Sequence, residues 1–219
     1  MGRVHLYVGI SLDGYIAAPD GGVDWLNPYA DAHAGFGPFI KTIGSAVMGR
    51  VTYDHALARG YANFGKMPAY VVTHRSFAPP SPSIIPFTGD LAALVGQIRE
   101  RHPGDIWLMG GGGVTRSFQD ADLIDIWSVA FVPTLLGAGL PMFPPSTFGE
   151  RRLRLEGLRQ YPSGERVGRI VRMHRHCGLD DDGAMIQIGG DEMYGAAMDL
   201  HAFCQGTLMG FQPRKHGQE

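Results

Sequence analysis

The chain has 219 residues, of which 44% are hydrophobic and 18% charged, a composition that excludes an intrinsically disordered protein. Its formal net charge of −2 gives the whole chain no electrostatic basis for binding nucleic acid or an acidic membrane surface. There is no apolar run of about 18 residues, as a membrane helix needs, and no signal-peptide pattern. Two cysteines, Cys177 and Cys204, make no disulfide framework. We therefore expect a cytoplasmic protein.

The charge distribution divides the chain near residue 176. Residues 1–176 carry a formal charge of +3, whereas residues 177–219 carry −5 and hold both cysteines. This difference predicts one domain over residues 1–176, followed by an acidic tail of unknown role over residues 177–219. The tail is either a loosely ordered extension or an arm that docks on the positive domain or on a second subunit.

Strand-like and helical patterns alternate along the first 176 residues. β-branched and aromatic runs predict strands at residues 4–10, 46–48, 69–73, 84–87, 105–109 and 124–132. Helical spacing and capping residues predict helices at residues 29–43, 90–102 and 114–121, and a further helix that follows residues 49–52 and ends near residue 58. Two further runs, 153–160 and 167–174, flank a turn at residues 162–164. The fold class is therefore α/β, with a mainly parallel central sheet, helices on both faces and a C-terminal antiparallel hairpin.

A glycine- and aspartate-rich segment, residues 13–25, follows the first strand. It carries Tyr15 and Trp25, two aromatic side chains that could cover a flat ring of a substrate. We interpret the segment as a mobile lid over a binding site, with an ordinary surface loop as the alternative.

The strongest local signal is a run of four glycines between an apolar strand and a helix. Consecutive glycines allow backbone N–H groups to point at one anion, and the following helix N-terminus adds partial positive charge. This arrangement predicts a phosphate or pyrophosphate site, although close strand–helix packing is an alternative. The spacing matches neither the dinucleotide-binding nor the P-loop fingerprint. The residues concerned are Gly110, Gly111, Gly112, Gly113, Val114 and Thr115.

Two other strand ends carry groups that suit an anion. Gly49, Arg50 and Thr52 follow one strand, where glycine permits close approach and the other two side chains can donate hydrogen bonds. His74 and Arg75 follow the next strand and could bind a phosphate monoester, unless they belong to a solvated loop. Because parallel strands end at the same edge of a sheet, three such ends predict a ligand with several phosphates, hence a nucleotide or dinucleotide.

Metal-binding patterns are weak in this chain. His174 and His176 would share a strand face, but no carboxylate or cysteine nearby completes a ligand set. We expect no metal.

Four motifs in order resemble the dihydrofolate reductase superfamily: residues 11–17 (SLDGYIA), 48–53 (MGRVTY), 72–75 (VTHR) and 110–113 (GGGG). Within the superfamily, the chain is most similar to the branch typified by the reductase domain of bacterial riboflavin biosynthesis. The resemblance spans residue 3 to about residue 175. It implies an NADPH-dependent reductase on a dihydrofolate reductase-like sheet, and a homodimer formed through the C-terminal hairpin.

The resemblance also implies roles for individual residues. Gly49, Arg50 and Thr52 would hold the pyrophosphate and the adenosine phosphate. The backbone at Ile16 and Ala17 would contact the nicotinamide carboxamide, and the peptide bond between Gly110 and Gly111 falls where the family has a cis peptide. The adenosine 2′-phosphate, which distinguishes NADPH from NADH, would be bound by Thr73, His74 and Arg75.

The chain departs from the folate-reducing members at the first helix. Those members have an acidic residue that holds the pterin, and Ala30 stands at that position here, with Asp31 one residue later. Such a shift turns a side chain by about 100° on a helix. Asp31 and Asp13 are the candidate catalytic acids, and Asp13 has turn capping as its alternative role.

We expect hydride transfer from NADPH to a small-molecule substrate. The substrate is predicted to be a pterin- or aminopyrimidine-like heterocycle or a ribose-derived carbonyl compound. The alternatives are a true dihydrofolate reductase and a non-catalytic nucleotide-binding protein of the same fold.

Overall fold

The computed structural model describes residues 1–58, 60, 64–145, 151–162 and 164–172, except for the side chains of residues 30–35. Two units are distinguished along the chain, Met1–His174 and Arg175–Glu219. The second unit, with the predicted acidic tail, Cys177 and Cys204, lies outside the described residues, as do His174 and His176.

A sheet of eight strands organises the first unit. Its strand order is β5-β4-β3-β6-β1-β7-β10-β9, and the six strands from β5 to β7 run parallel to one another. β10 pairs antiparallel with β7 and with β9, which forms the predicted C-terminal hairpin. The strands are β1 (Val4–Ser11), β3 (Ile43–Gly49), β4 (Ala69–Val72), β5 (Ile84–Phe87), β6 (Asp105–Gly110), β7 (Ile126–Val132), β9 (Leu153–Gln160) and β10 (Arg166–Arg172).

Within the described residues, four α-helices cover the two faces of this sheet, which confirms the predicted fold class. They are α1 (His33–Ile40), α2 (Arg50–Ala58), α3 (Leu91–Arg101) and α4 (Gly112–Asp120). α3 begins as its sequence predicts, because the Asp90 carboxylate accepts a hydrogen bond from the amide of Ala93 at 2.7 Å.

The two faces have different cores. On one face, Leu94 and Ile98 of α3 and Phe118 of α4 are buried against alternate aliphatic side chains of β1 and β6. On the other face, Tyr53 of α2 packs in a smaller cluster, and aromatic residues of α1 lie against β1. The second face is therefore the more aromatic one.

The structure corrects the sequence prediction at the first helix. A 3₁₀-helix spans Asp24–Ala32 and is followed by α1, whereas one helix was predicted over residues 29–43. The 3₁₀-helix is itself kinked at Tyr29, whose backbone is not helical (φ −107°, ψ 22°). Residue 43 already belongs to β3.

A second difference is a pair of short strands that the sequence did not predict. β2 (Tyr15–Ala17) pairs antiparallel with β8 (Leu140–Pro141), which places part of the predicted lid in a small separate sheet. Two and three residues are too short for a periodic pattern to indicate a strand.

In the ranges that the structure describes, no helix has both the length and the apolar character to span a membrane.

Candidate functional site

The strand ends predicted to bind an anion lie side by side at one edge of the sheet. β4, β3 and β6 are consecutive parallel strands, so their carboxyl ends share that edge, with β1 next in order. The hydroxyl of Thr52 accepts a hydrogen bond of 2.7 Å from the amide of Gly111, and so joins the turn after β3 to the turn after β6. Open α/β sheets bind ligands in the crevice at this edge.

The four-glycine turn forms the N-terminus of α4. Gly111 is the N-cap and makes no side-chain cap hydrogen bond, so the first-turn amides of α4 receive no such cap. Apart from its chain neighbours and the backbone of its own helix, no described atom lies within 4 Å of the position that a Cβ on Gly113 would occupy. At Gly112 the corresponding position is only 2.9 Å from the carbonyl oxygen of Pro141. The open approach to this helix end is therefore at Gly113.

The peptide bond between Gly110 and Gly111 is cis, which confirms the expectation drawn from the resemblance. Val114 and Thr115, which follow in α4, are both buried. Val114 packs against Gly49, with a side-chain carbon 3.6 Å from the position of a Cβ there. Thus Val114 and Thr115 shape the turn through packing, and any contact that they make with a ligand would be through the backbone.

Arg50 holds its guanidinium in a fixed position at the start of α2. Its Nε donates to both carboxylate oxygens of Asp54 at 2.7 and 2.9 Å, and its Cζ lies 4.4 Å from the centre of the Phe77 ring. Its Nη1 is buried and has no hydrogen-bond partner among the described residues. Asp54 and Phe77 were not predicted from the sequence, although the i,i+4 spacing from Arg50 to Asp54 could have indicated the first.

Three residues of the turn after β4 were predicted to bind a phosphate. One of them is buried and two are exposed. Thr73 is only 7% exposed, and its hydroxyl accepts from the amide of Arg75 at 3.0 Å and donates to the carbonyl of the same residue at 3.1 Å. His74 and Arg75 are exposed. Thr73 therefore shapes the turn, and His74 and Arg75 are the side chains free to meet a solvent-borne anion.

Ile16 and Ala17 lie in β2, beside the segment that leads into β8. A Cβ on Gly139 would lie 2.2 Å from the carbonyl oxygen of Ala17 and 3.2 Å from side-chain carbons of Tyr15, so this contact requires glycine. The amide of Met142 donates to the carbonyl of Gly14 at 3.0 Å. These contacts attach the predicted lid to the residues on both sides of β8.

The carboxylate of Asp13 also joins the predicted lid to the segment before β8. It accepts from the hydroxyl of Ser11 at 2.6 Å and from the amides of Leu136 and Gly137, the latter at 2.7 Å. The Ser11 hydrogen bond, with these amides, holds the pKa of the Asp13 carboxyl below its usual value. The geometry matches the turn-holding alternative, and a lowered pKa does not favour proton donation at neutral pH. A catalytic role for Asp13 stays a prediction.

The other predicted substrate and catalytic residues lie in the 3₁₀-helix. Trp25 is partly exposed, and its indole nitrogen is buried without a hydrogen-bond partner in the described part of the chain. The side chain of Asp31 is outside the described residues, as is that of Ala30, and the role of Asp31 also stays a prediction.

The residues present fit the phosphates of a dinucleotide. Neighbouring strand ends carry an arginine nitrogen that has no partner among the described residues, an open helix N-terminus at Gly113 and two exposed cationic or titratable side chains. Each is a group that binds phosphate oxygens, and a pyrophosphate with a further phosphate would use all of them. Among the described residues, no cluster of three or more His, Cys, Asp or Glu side chains is arranged to hold a metal.

Comparisons with known proteins agree with this architecture. The uncharacterised Bacillus subtilis protein YwjB is 29% identical over 171 residues, which cover 77% of this chain and 94% of that protein. A protein of Shewanella sp. PV-4 whose name assigns it to riboflavin biosynthesis superposes with a TM-score of 0.71 at 22% identity, covering 78% of this chain and 99% of the other.

Dihydrofolate reductase from Enterococcus faecalis, solved with NADP(H), superposes with a TM-score of 0.54 at 13% identity over 78% of this chain and 96% of that enzyme. The fold is thus shared with dihydrofolate reductase, as the four motifs predicted. The model of the RibD C-terminal domain matches residues 3–166, and the chain belongs to that family.

Proposed function

We propose that this chain is an NADPH-dependent reductase. It transfers hydride to a small heterocyclic substrate of the pterin or aminopyrimidine type, or to a ribose-derived carbonyl compound. The reaction resembles that of the riboflavin-biosynthesis reductases, whose family domain the chain contains. We also propose that the chain forms a homodimer.

One observation carries the proposal: the hydrogen bond between Thr52 and Gly111. It joins the turn that presents Arg50 to the turn that begins α4, although the two residues are 59 positions apart in sequence. Two anion-binding groups are thereby held in one place before any ligand arrives, and such pre-organisation lowers the entropic cost of binding. Strand packing alone does not require a guanidinium here whose buried Nη1 has no partner in the described part of the chain.

NADPH, when bound, supplies the hydride. The chain's own part is to orient the coenzyme and exclude water. Arg50 and the first-turn amides of α4 would bind the pyrophosphate, and His74 and Arg75 the 2′-phosphate. The backbone of Ile16 and Ala17 would hold the nicotinamide end, because β2 is fixed against the segment that contains Gly139. Hydride transfer depends chiefly on this geometry.

Replacement of Arg75 by alanine tests the assignment of the cofactor. The variant should bind NADPH about 10- to 100-fold more weakly, since a charge-assisted hydrogen bond contributes roughly 1.5–3 kcal/mol. Its affinity for NADH should stay within about twofold of the wild type, because NADH lacks the 2′-phosphate. Quenching of protein fluorescence by each coenzyme measures both constants. Arg101→Ala, an exposed arginine at the end of α3, is the matched control.

If Arg75→Ala lost affinity equally for NADPH and NADH, the turn after β4 would not be part of the cofactor site. Failure of the wild-type chain to bind either coenzyme would overturn the proposed function itself.

Turnover separates this function from its alternatives. We expect loss of nicotinamide absorbance when NADPH is mixed with one of a set of pterins and aminopyrimidines. NADPH binding without oxidation by any of them would favour a non-catalytic nucleotide-binding protein. Tight methotrexate binding together with dihydrofolate reduction would favour a true dihydrofolate reductase.

A further inference from the structure

The guanidinium of Arg50 is bound at one edge by a carboxylate of its own helix. Its Nε donates to both carboxylate oxygens of Asp54, at 2.7 and 2.9 Å, and its Nη1 is buried without a hydrogen-bond partner among the described residues. The side chain of Arg50 is nevertheless 29% exposed. The pair with Asp54 therefore occupies Nε and leaves Nη2 as the nitrogen that can reach a ligand.

This ion pair contributes little to the stability of the helix itself. Arg50 is the first residue of α2, so its charge lies at the positive end of the helix dipole. An arginine four residues before an aspartate is the less favourable order for such a pair, and exposed ion pairs stabilise a fold weakly. Asp54 is 46% exposed. Helix stability therefore does not explain the pair, whereas a need to fix the guanidinium does.

The face of the same guanidinium lies against an aromatic ring from a different segment. Cζ of Arg50 is 4.4 Å from the centre of the Phe77 ring, which is a cation–π distance. Phe77 follows the turn after β4, two residues beyond Arg75. Its ring centre is 5.2 Å from that of Tyr53, which is only 1% exposed. The ring beneath Arg50 is thus supported by a buried side chain of α2.

We propose that Asp54 and Phe77 are positioning residues for Arg50, an inference that rests on the function proposed above. Asp54 fixes the Nε edge of the guanidinium and Phe77 fixes its plane, so that Nη2 is oriented before the pyrophosphate of NADPH arrives. A long side chain that is ordered beforehand loses less conformational freedom on binding. Both residues therefore raise the affinity for the coenzyme through Arg50, and neither has to touch the coenzyme.

The negative charge of Asp54 makes the sign of its effect decisive. A carboxylate near a pyrophosphate site repels the anion, so its removal should strengthen coenzyme binding if charge alone mattered. If Asp54 positions Arg50, its removal should weaken coenzyme binding instead. The two expectations have opposite signs, and one substitution separates them.

Binding of NADPH to the full chain, followed by quenching of protein fluorescence, measures this sign. Asp54→Ala should raise the dissociation constant about 3- to 10-fold, which is the cost of ordering one long side chain on binding. Asp54→Asn keeps a neutral acceptor for Nε and should raise it less. Because alanine favours a helix more than aspartate does, α2 should stay folded in the first variant. Asp120→Ala is the matched control, since Asp120 forms an i,i+4 pair with Arg116 at 3.4 Å in α4, and NADPH affinity should stay within about twofold.

A double-mutant cycle shows whether the two residues act through Arg50. In an Arg50→Ala background there is no guanidinium to hold, so adding Asp54→Ala should change the dissociation constant less than about twofold. Phe77→Leu should weaken NADPH binding about 2- to 5-fold, as expected for one cation–π contact, and only when Arg50 is present. Phe64→Leu is the matched control, because Phe64 packs against the same apolar cluster as Phe77. It should leave NADPH affinity within about twofold.

The outcomes distinguish this inference from the function on which it rests. Unchanged or tighter NADPH binding by Asp54→Ala would overturn the inference, while binding and turnover by the wild type would leave the proposed function intact. Equal losses with and without Arg50 would overturn it as well, since Asp54 would then act on the fold. Failure of the wild-type chain to bind NADPH would overturn the function itself, and the inference with it.

Discussion

Thr52 illustrates how much of the candidate site depends on a single hydroxyl. In Thr52→Val the shape is kept, but the Gly111 amide loses its acceptor. We expect the free energy of unfolding to fall by about 1 kcal/mol and NADPH to bind roughly 5- to 10-fold more weakly. Urea denaturation and fluorescence titration measure the two effects.

Thr134→Val is the control for this substitution, because it removes a threonine hydroxyl bonded to Tyr29 at 3.0 Å. It should alter stability to a similar degree and leave NADPH affinity unchanged. If both variants bound NADPH like the wild type, the Thr52–Gly111 contact would have only a folding role.

The pKa of His5 predicts how the free energy of unfolding depends on pH. Burial, with a smaller contribution from the charge of Arg169, lowers the pKa of His5 from 6.5 to about 4. The unfolded chain therefore binds a proton more readily than the folded chain. The stabilisation is fully present above about pH 6.5 and is lost as the pH falls towards 4, by roughly 3 kcal/mol in total.

Urea denaturation between pH 4 and pH 7 checks this dependence. His5→Gln keeps a polar group facing Ser128, whose hydroxyl lies 2.8 Å from the His5 ring nitrogen, but it does not titrate. The variant should lose stability less steeply than the wild type over this interval. Parallel curves for the two proteins would show that folding does not lower the pKa of His5.

At the scale of elements, the segment around β2 and the segment before β8 depend on each other through Asp13. Asp13→Asn weakens the charge-assisted bonds to Leu136 and Gly137. We expect these two amides to exchange with solvent faster, by about an order of magnitude for each 1.4 kcal/mol lost. Hydrogen exchange followed by mass spectrometry, on peptides containing residues 136–142, provides the measurement.

Turnover of the same variant decides between the two roles of Asp13. A residual rate that falls less than about tenfold agrees with a turn-holding residue, whereas loss of turnover by 100-fold or more agrees with a proton donor. Asp20→Asn is the control, because Asp20 is exposed and, within the described residues, accepts from the nearby amide of Gly22 at 2.8 Å.

Strands and helices with many local signals were the elements that could be predicted. β5 and β9 begin and end at the predicted residues, and α3 begins after its predicted cap at Asp90. In each case an apolar period and its bounding residues lie within one short segment. The antiparallel hairpin could be predicted for the same reason.

Contacts between distant segments could not be predicted in this way. β2 and β8 are about 125 residues apart in sequence and are defined only by their pairing. The Thr73 hydroxyl is buried and bonds the backbone of Arg75. This arrangement depends on the geometry of the turn, which a Thr-His-Arg sequence does not specify. The Thr52–Gly111 bond joins two motifs that were each recognised, but whose direct contact no local pattern indicates.

For the whole molecule, the C-terminal hairpin is the surface that the homodimer proposal requires. Phe131, Leu155 and Leu158 are 43%, 54% and 39% exposed. Their side-chain carbons lie within 3.9 Å of the position that a Cβ on Gly168 would occupy, so they form one apolar patch. The patch adjoins β9, the last strand of the sheet, and exposed apolar patches beside an edge strand commonly mark association surfaces.

Leu155→Glu should therefore convert a dimer into a monomer. Introducing a charge at the centre of an apolar interface costs several kcal/mol, enough to raise a dimer dissociation constant by about 100-fold or more. Light scattering after size-exclusion chromatography measures the mass directly. Leu57→Glu, at an exposed leucine of α2, introduces the same charge outside the patch and should leave the mass unchanged. A wild-type mass of one chain at micromolar concentration would contradict the dimer, whereas a dimer that survives Leu155→Glu would place the interface on another surface.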